Sequence, residues 1–247
     1  MSRTTQWIAV AACLVTLGGC QQKATSGLQT GQVVGGATEQ MAVSVPANGF
    51  LPSPQLLTPG ASGQADFTYL NTNVQPPSYT AVMVDPVTIW ADPASSLNSA
   101  TPGQRQQLAN LASSDLRNAM KQVCPLAHNP GPGVLVLRVA LIDATSANPV
   151  VNTIATYTPY ASTAYDLAAY AFNKDVGYFA GTATAEAYAV DGGNGAVVWQ
   201  AVSKRGGTSA AIKDTLNQWL DVQHAFQAWS TQLATRFQSV GFCQNQG

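Results

Sequence analysis

Two histidines, four cysteines and a few isolated charges are the groups in this 247-residue chain that could do chemistry. His128 lies in a Pro-rich loop four residues after Cys124, and His224 lies three residues after Asp221 on a predicted helix. Each offers at most a two-ligand fragment, whereas a zinc site takes three or four protein ligands. Both therefore read as solvated or capping histidines. No HExxH, CxxC, GxSxG or P-loop pattern occurs. No catalytic residue, metal ligand or cofactor is expected, and the chain reads as non-enzymatic. Arg138 stands inside an apolar run and needs a partner. Glu186, in the middle of the next long strand, is the expected one, in a structural ion pair. Lys204-Arg205-Gly206-Gly207 reads as a basic strand end running into a turn, with an anion-binding loop as the other reading.

The cysteines carry more. Trp7 to Leu17 (WIAVAACLVTL) is an uncharged apolar run behind Arg3. A spanning helix needs ~20 such residues, so this run reads instead as a signal peptide over residues 1–19. It ends in Leu17-Gly18-Gly19-Cys20, which resembles the bacterial lipobox. There the small residues admit the backbone to a peptidase, and the cysteine thiol takes the lipid. Cys20 is thus the expected lipidation site and membrane contact, since two or more acyl chains anchor a protein stably. Gln21 stands where an aspartate would resemble an inner-membrane retention signal. In a Gram-negative host this predicts an outer-membrane protein facing the periplasm. Cys13 would leave with the signal. Cys124 and Cys243 remain as an even pair in an oxidising compartment, which predicts a disulfide; two buried free thiols are the other reading. The bridge would close a loop of about 120 residues, stabilising the fold by ~4–5 kcal/mol in the chain-entropy model.

Composition bounds the partners. Eleven basic and twelve acidic residues give a net charge of −1. Removal of residues 1–19, which hold only Arg3, leaves ten and twelve, or −2. Nucleic-acid binding needs a basic face, and none is visible. Charged residues make up only 9% of the chain, against about 25% in an average domain. The surface must be built largely of Ser, Thr, Gln, Asn and Ala.

The elements that would position these residues follow from periodicity and turn chemistry. Residues 20–64 are rich in Gly, Ser, Thr, Gln and Pro, with only Lys23 and Glu39 charged, and read as a tether. Gly49-Phe50-Leu51 interrupts it and could dock on the domain. Residues 65–247 then form one domain. AVMVDPVTIW (81–90) is a strand broken at Asp85-Pro86, hence an edge or a bulge, because proline donates nothing to a ladder. Thr101-Pro102-Gly103-Gln104 is a capping box that starts a helix running to about Val123. VLVLRVALID (134–143) is apolar on both faces and predicts a central, doubly covered strand. From 181 to 190 threonine, glutamate and tyrosine alternate with alanine, a face that would let a helix approach closely. Asp191-Gly192-Gly193-Asn194-Gly195 turns this strand into a hairpin with the next. Thr215-Leu216-Asn217-Gln218 resembles a second capping box. Val222, Phe226, Trp229, Leu233 and Phe237 then mark one face of a final helix ending near Gly241. The class is α+β: an antiparallel or mixed sheet of about four to five strands with two main helices on one face. Both cysteines fall just after the ends of those helices, which side-by-side parallel packing would bring together. A Tyr-rich insert at 147–180 reads equally as interface or as core filling.

AVMVDPVTIW, GPGVLVLRVALIDA, EAYAVDGGNGAVVW, KRGG at 204–207 and WLDVQHAFQAW occur in that order. In this the chain resembles, over about residues 49–243, the bacterial lipoproteins grouped as domain of unknown function 3313. The resemblance implies a lipoprotein and a fold, not a reaction. The expected function is a non-catalytic interaction or accessory module of the cell envelope, meeting an envelope protein through the insert or a sheet edge. A lipid or small apolar ligand-binding protein, with a cavity between sheet and helices, is the alternative, and an envelope-polymer enzyme a distant third.

Overall fold

The computed structural model describes residues 38–146, 181–207 and 219–244. The signal segment, Cys20, the insert at 147–180 and the capping box at 215–218 lie outside the described residues. Eight strands form one mixed sheet: β1 (Thr38–Met41), β2 (Thr58–Pro59), β3 (Phe67–Leu70), β4 (Ala81–Val84), β5 (Thr88–Ile89), β6 (Val134–Thr145), β7 (Thr182–Asp191) and β8 (Val197–Gly207). Their order is β2-β3-β8-β7-β6-β4, with β1 also paired to β8 and β5 to β6. Two α-helices, α1 (Pro102–Lys121) and α2 (Leu220–Val240), and three short 3-10 helices complete the described elements.

The class is α+β, but the sheet has more strands than the four to five expected. The excess comes largely from residues 38–70, which supply β1, β2 and β3. Their Gly/Ser/Thr-rich composition looks like a linker because short strands at a sheet's end need few large side chains. The expected tether boundary at residue 64 is corrected accordingly. Thr38–Met41 pairs antiparallel with Lys204–Gly207, and Leu51 is buried. Residues 38–64 belong to the domain.

The middle of the sheet follows the sequence closely. β6 is buried on both faces: Leu135, Leu137 and Leu141 on one, Val136, Ala140 and Ile142 on the other. β7 lies antiparallel to it and turns into β8. The hairpin turn is held by Asp191, whose Oδ1 accepts from the backbone N–H of Gly193 and Asn194 at 2.7 and 3.0 Å. β4 and β5 run parallel to β6 as one strand broken at 85–87. The break does not leave the backbone unsatisfied. Val87 N–H donates to Ser113 Oγ at 2.9 Å, and Arg117 Nη2 donates to the Val84 carbonyl at 3.2 Å. Both side chains come from α1. A proline-broken edge is thereby sealed by a helix, which also blunts it against pairing with another chain.

α1 starts on the full capping box: Gln104 N–H donates to Thr101 Oγ1, and Thr101 N–H donates to Gln104 Oε1. α2 stops at Gly241, whose φ of 96° is the left-handed conformation that glycine adopts without a Cβ clash. Leu108, Leu116 and Met120 of α1 and Val222, Phe226 and Phe237 of α2 join Leu135, Leu137 and Leu141 in one core. Beyond the two helix ends Cys124 and Cys243 form a disulfide, with Cα atoms 5.4 Å apart and a sequence separation of 119. Tyr79 locks the same corner. Its carbonyl accepts from Cys243 N–H at 3.0 Å, and its hydroxyl donates to Asp191 at 2.9 Å. Burial first, then that bond to a carboxylate, pushes the phenol up to about 12.

Candidate functional site

The sheet's two faces differ in what covers them, and each face holds a candidate site. Residues opposite each other across the ladder share a face. Arg138, Tyr188 and Gln200 align in register, as do Ala140, Glu186 and Val202. This is the outer face, and residues 48–53 cross over it. Gln200 is fully buried. Its Oε1 accepts from Ser53 N–H at 2.9 Å and its Nε2 donates to the Ser53 carbonyl at 3.0 Å. Trp90 Nε1 donates to the Asn48 carbonyl at 3.0 Å. Phe50 lies between Tyr188 and Trp90, with ring centroids 5.3 and 5.8 Å away. Phe50-Leu51 does dock on the domain.

Arg138 and Glu186 stand on this face but do not pair, so the expected ion pair is corrected. Arg138 Nε donates to Asp85 Oδ2 at 2.9 Å, and its guanidinium lies 5.8 Å from the centroid of the Tyr188 ring. Arg138 is opposite Tyr188, one ladder step from Glu186. Asp85 sits at the break in the neighbouring strand and is the nearer anion. Sequence reading took Asp85-Pro86 only as an interruption. Arg138 is also not buried, with its side chain 45% exposed.

Glu186, by contrast, has 0% exposure. Neither carboxyl oxygen has a hydrogen-bond partner, and Asn48 Nδ2, which lies close by, has none either. Desolvation pushes this carboxyl up to about 7; the neighbouring Asn48 amide pulls the other way, and Asp92 adds a further upward push. A carboxyl near neutrality beneath a crossing segment is a candidate titrating group. No sequence motif marks it, since its burial depends on residues 48–53 closing over the sheet.

Above it the side chains of Trp90, Phe50, Tyr188 and Arg138 make a patch at the sheet edge. Trp90 follows the edge strand β5 and is 46% exposed. Aromatic residues and arginine are the types enriched at the energetic centres of interfaces.

The inner face carries the helices. Here β7 presents Ala185 and Ala187, β6 Val139 and Leu141, and β8 Trp199, Ala201 and Ser203. The expectation that alanines admit a close helix is met only in part. Between this wall and α2 lies an apolar cavity of about 110 Å³, bounded on the helix side by Phe226, Trp229 and Leu233. A second cavity, about 230 Å³, lies towards β3, Leu56 and Phe242. The Tyr-rich insert at 147–180 lies outside the described residues.

Other residues singled out in the sequence have structural roles. Lys204-Arg205-Gly206-Gly207 is a strand end: Lys204 N–H donates to Asp66, and Arg205 donates to the side chain and carbonyl of Thr38. Asp221 is buried against Gly207, and its Oδ2 accepts from Gly181 N–H at 2.7 Å. Burial pushes Asp221 up, while the Gly181 bond and the charge of His224 oppose that. Among the described residues no three of His, Cys, Asp and Glu come together as a metal site would require.

A family model described as protein of unknown function (DUF3313) matches residues 46–233. No curated protein matches the sequence. Among solved structures, the PelC dodecamer from Paraburkholderia phytofirmans is 15% identical, with a TM-score of 0.36, covering 68% of this chain and 96% of that one. A single-substitution variant of it is 16% identical with the same TM-score, covering 68% and 95%. Likeness this distant bears no functional argument.

Proposed function

Because this chain belongs to the DUF3313 family, described only as proteins of unknown function, we propose its role from its own residues: a lipid-anchored, periplasm-facing module that binds an envelope protein through the Trp90 patch. The Leu17-Gly18-Gly19-Cys20 tetrapeptide behind a short apolar run supports export and anchoring on Cys20, and Gln21 supports the outer membrane. The observation that carries the binding role is an exposed tryptophan on a built platform. Trp90 is held by its bond to Asn48 and its contact with Phe50. A large ring ordered before binding loses little entropy when a partner covers it. The partner would be a protein with an apolar surface, since the nearby Arg138 is already neutralised by Asp85. The role is non-catalytic, as the sequence offers no nucleophile–base or carboxylate pair.

A photo-crosslinking residue in place of Trp90, in cells, tests this. One defined envelope partner is expected, lost in Phe50→Ala as the platform loosens. Recovery of uncrosslinked chain alone would overturn it. Cys20→Ala should move the protein from the membrane to the soluble fraction; unchanged membrane association would refute the anchor.

A second reading, an apolar-ligand carrier, has a specific observation in its favour: the cavity under α2, walled by alanines rather than filled.

A further inference from the structure

We propose that residues 48–53 are a proton-held strap: they stay closed over the sheet while the Glu186 carboxyl is protonated, and they lift when that proton leaves, taking apart the support under Trp90. This rests on the reading of Trp90 as a docking surface and names its regulation. The two ends of the segment are held differently. At one end Ser53 is tied to the buried Gln200 through both its N–H and its carbonyl, at 2.9 and 3.0 Å, and Leu51 is buried. At the other end the attachments lead to the platform. The Asn48 carbonyl accepts from Trp90 Nε1 at 3.0 Å, and Phe50 meets the rings of Trp90 and Tyr188. Gly49, between them, has a φ of 79°, and a Cβ built on it would meet nothing within 4 Å. A glycine in open space is a pivot with few backbone restrictions. Lifting residues 48–50 about it leaves the Ser53 anchor in place and strips Trp90 of its acceptor and its stacking partner.

Glu186 supplies the force. It lies beneath this segment with 0% exposure, and neither carboxyl oxygen has a hydrogen-bond partner. A neutral carboxyl tolerates such a place far better than a charged one. The donor that acts on it is the Asn48 amide, which belongs to the strap. The other groups facing it do not neutralise it. Asp92, beyond β5, repels it. Arg138 on β6 is taken by Asp85. Asp143, farther along β6, is a second anion, held by Ser95 Oγ and Ser96 N–H. Tyr188, next on this face of β7, meets Arg138 and Phe50. Lys204 on β8 stands opposite Thr184, one ladder step away, and among the described residues makes no ion pair with Glu186. Residues 48–53 carry no charge. Water is the remaining source of donors, and it reaches Glu186 when the strap lifts. The open strap returns the carboxyl to its ordinary 4.5, against about 7 when closed. Linkage between those values raises the open-to-closed ratio about tenfold from pH 6 to pH 8 and hardly at all beyond.

Hydrogen exchange of the full chain, followed by NMR and corrected for the intrinsic pH dependence of exchange, reads the opening. The probes are the Phe50 amide and the Trp90 indole N–H. Both should be less protected than the amides of β6, because the strap opens without the fold. Their protection should fall about tenfold from pH 6 to pH 8 and then level off, and should stay flat in Glu186→Gln. The Glu186 carboxyl carbon should titrate in the wild type with the same midpoint as the exchange step, which decides the question even where the variant does not fold. Protection equal to that of β6 would show that the segment opens only with the whole fold, and would overturn the strap. An equal pH step in Glu186→Gln, or a carboxyl that titrates near 4.5, would overturn it too. These results leave the docking surface to the Trp90 crosslink; a crosslink that finds no partner would overturn that reading and not the strap.

Discussion

Glu186 makes the sharpest quantitative test of the structure. The unfolded chain titrates this carboxyl near its ordinary 4.5, and the folded protein near 7. Between those values the folded state holds the proton and the unfolded state has lost it. Stability therefore falls as pH rises through this window, and the full penalty remains above it. At ~1.36 kcal/mol per pH unit the complete cost is about 3 kcal/mol. Between pH 5 and pH 8 the linkage relation gives about 2.5 kcal/mol, because part of the penalty is already present at pH 5. Glu186→Gln keeps the shape and removes the ionisation. Urea unfolding of both proteins at pH 5 and pH 8 isolates the effect, since every other titrating group, Asp221 included, is common to both. The wild type should lose about 2.5 kcal/mol more than the variant across that range, with equal m-values. Matching pH slopes would show that Glu186 is solvated or paired, and would refute the sealed outer face.

Three further outcomes follow from local geometry. Cys124→Ser should lower stability by ~4 kcal/mol, the entropy released when a loop of this length opens, and reducing agent should bring the wild type to the same midpoint in urea unfolding. Gly207→Ala would place a Cβ against the Asp221 carboxyl, costing roughly 1–3 kcal/mol as overpacking does in the same unfolding measurement. It would also expose Gly181 N–H, which Asp221 accepts, to faster hydrogen exchange. Thr101→Ala removes the acceptor for Gln104 N–H and should cost about 1 kcal/mol, read as a drop in thermal midpoint of a few degrees.

What the sequence made legible was whatever a single element encodes within itself. The capping box at Thr101, the doubly apolar run at 134–143, the turn at 191–195 and the proline break at 85–86 each have a local cause, and each stands where the pattern puts it. Residues 38–70 failed for the opposite reason. Their strands are two to four residues long and are ordered by pairing with β8 or with each other. Nothing in their own composition distinguishes them from a linker.

The site residues obey the same division. That Arg138 needs an anion follows from its neighbours; which anion it finds depends on strand order. β4 had to lie beside β6 for Asp85 to reach it, and sequence spacing carries no such information. Glu186 is the complementary case. Its alternation with alanine fixes the face it points to, yet its isolation depends on residues 48–53, about 135 positions earlier, crossing that face. The alanines between tell the same story from the inner side. A small-residue stripe permits a close helix and equally permits a void, and the choice belongs to α2. Here the helix stands off and leaves an apolar gap. The apolar volume left between that stripe and α2 is what favours the apolar-ligand reading, and it was set by where the helix packs, not by the stripe.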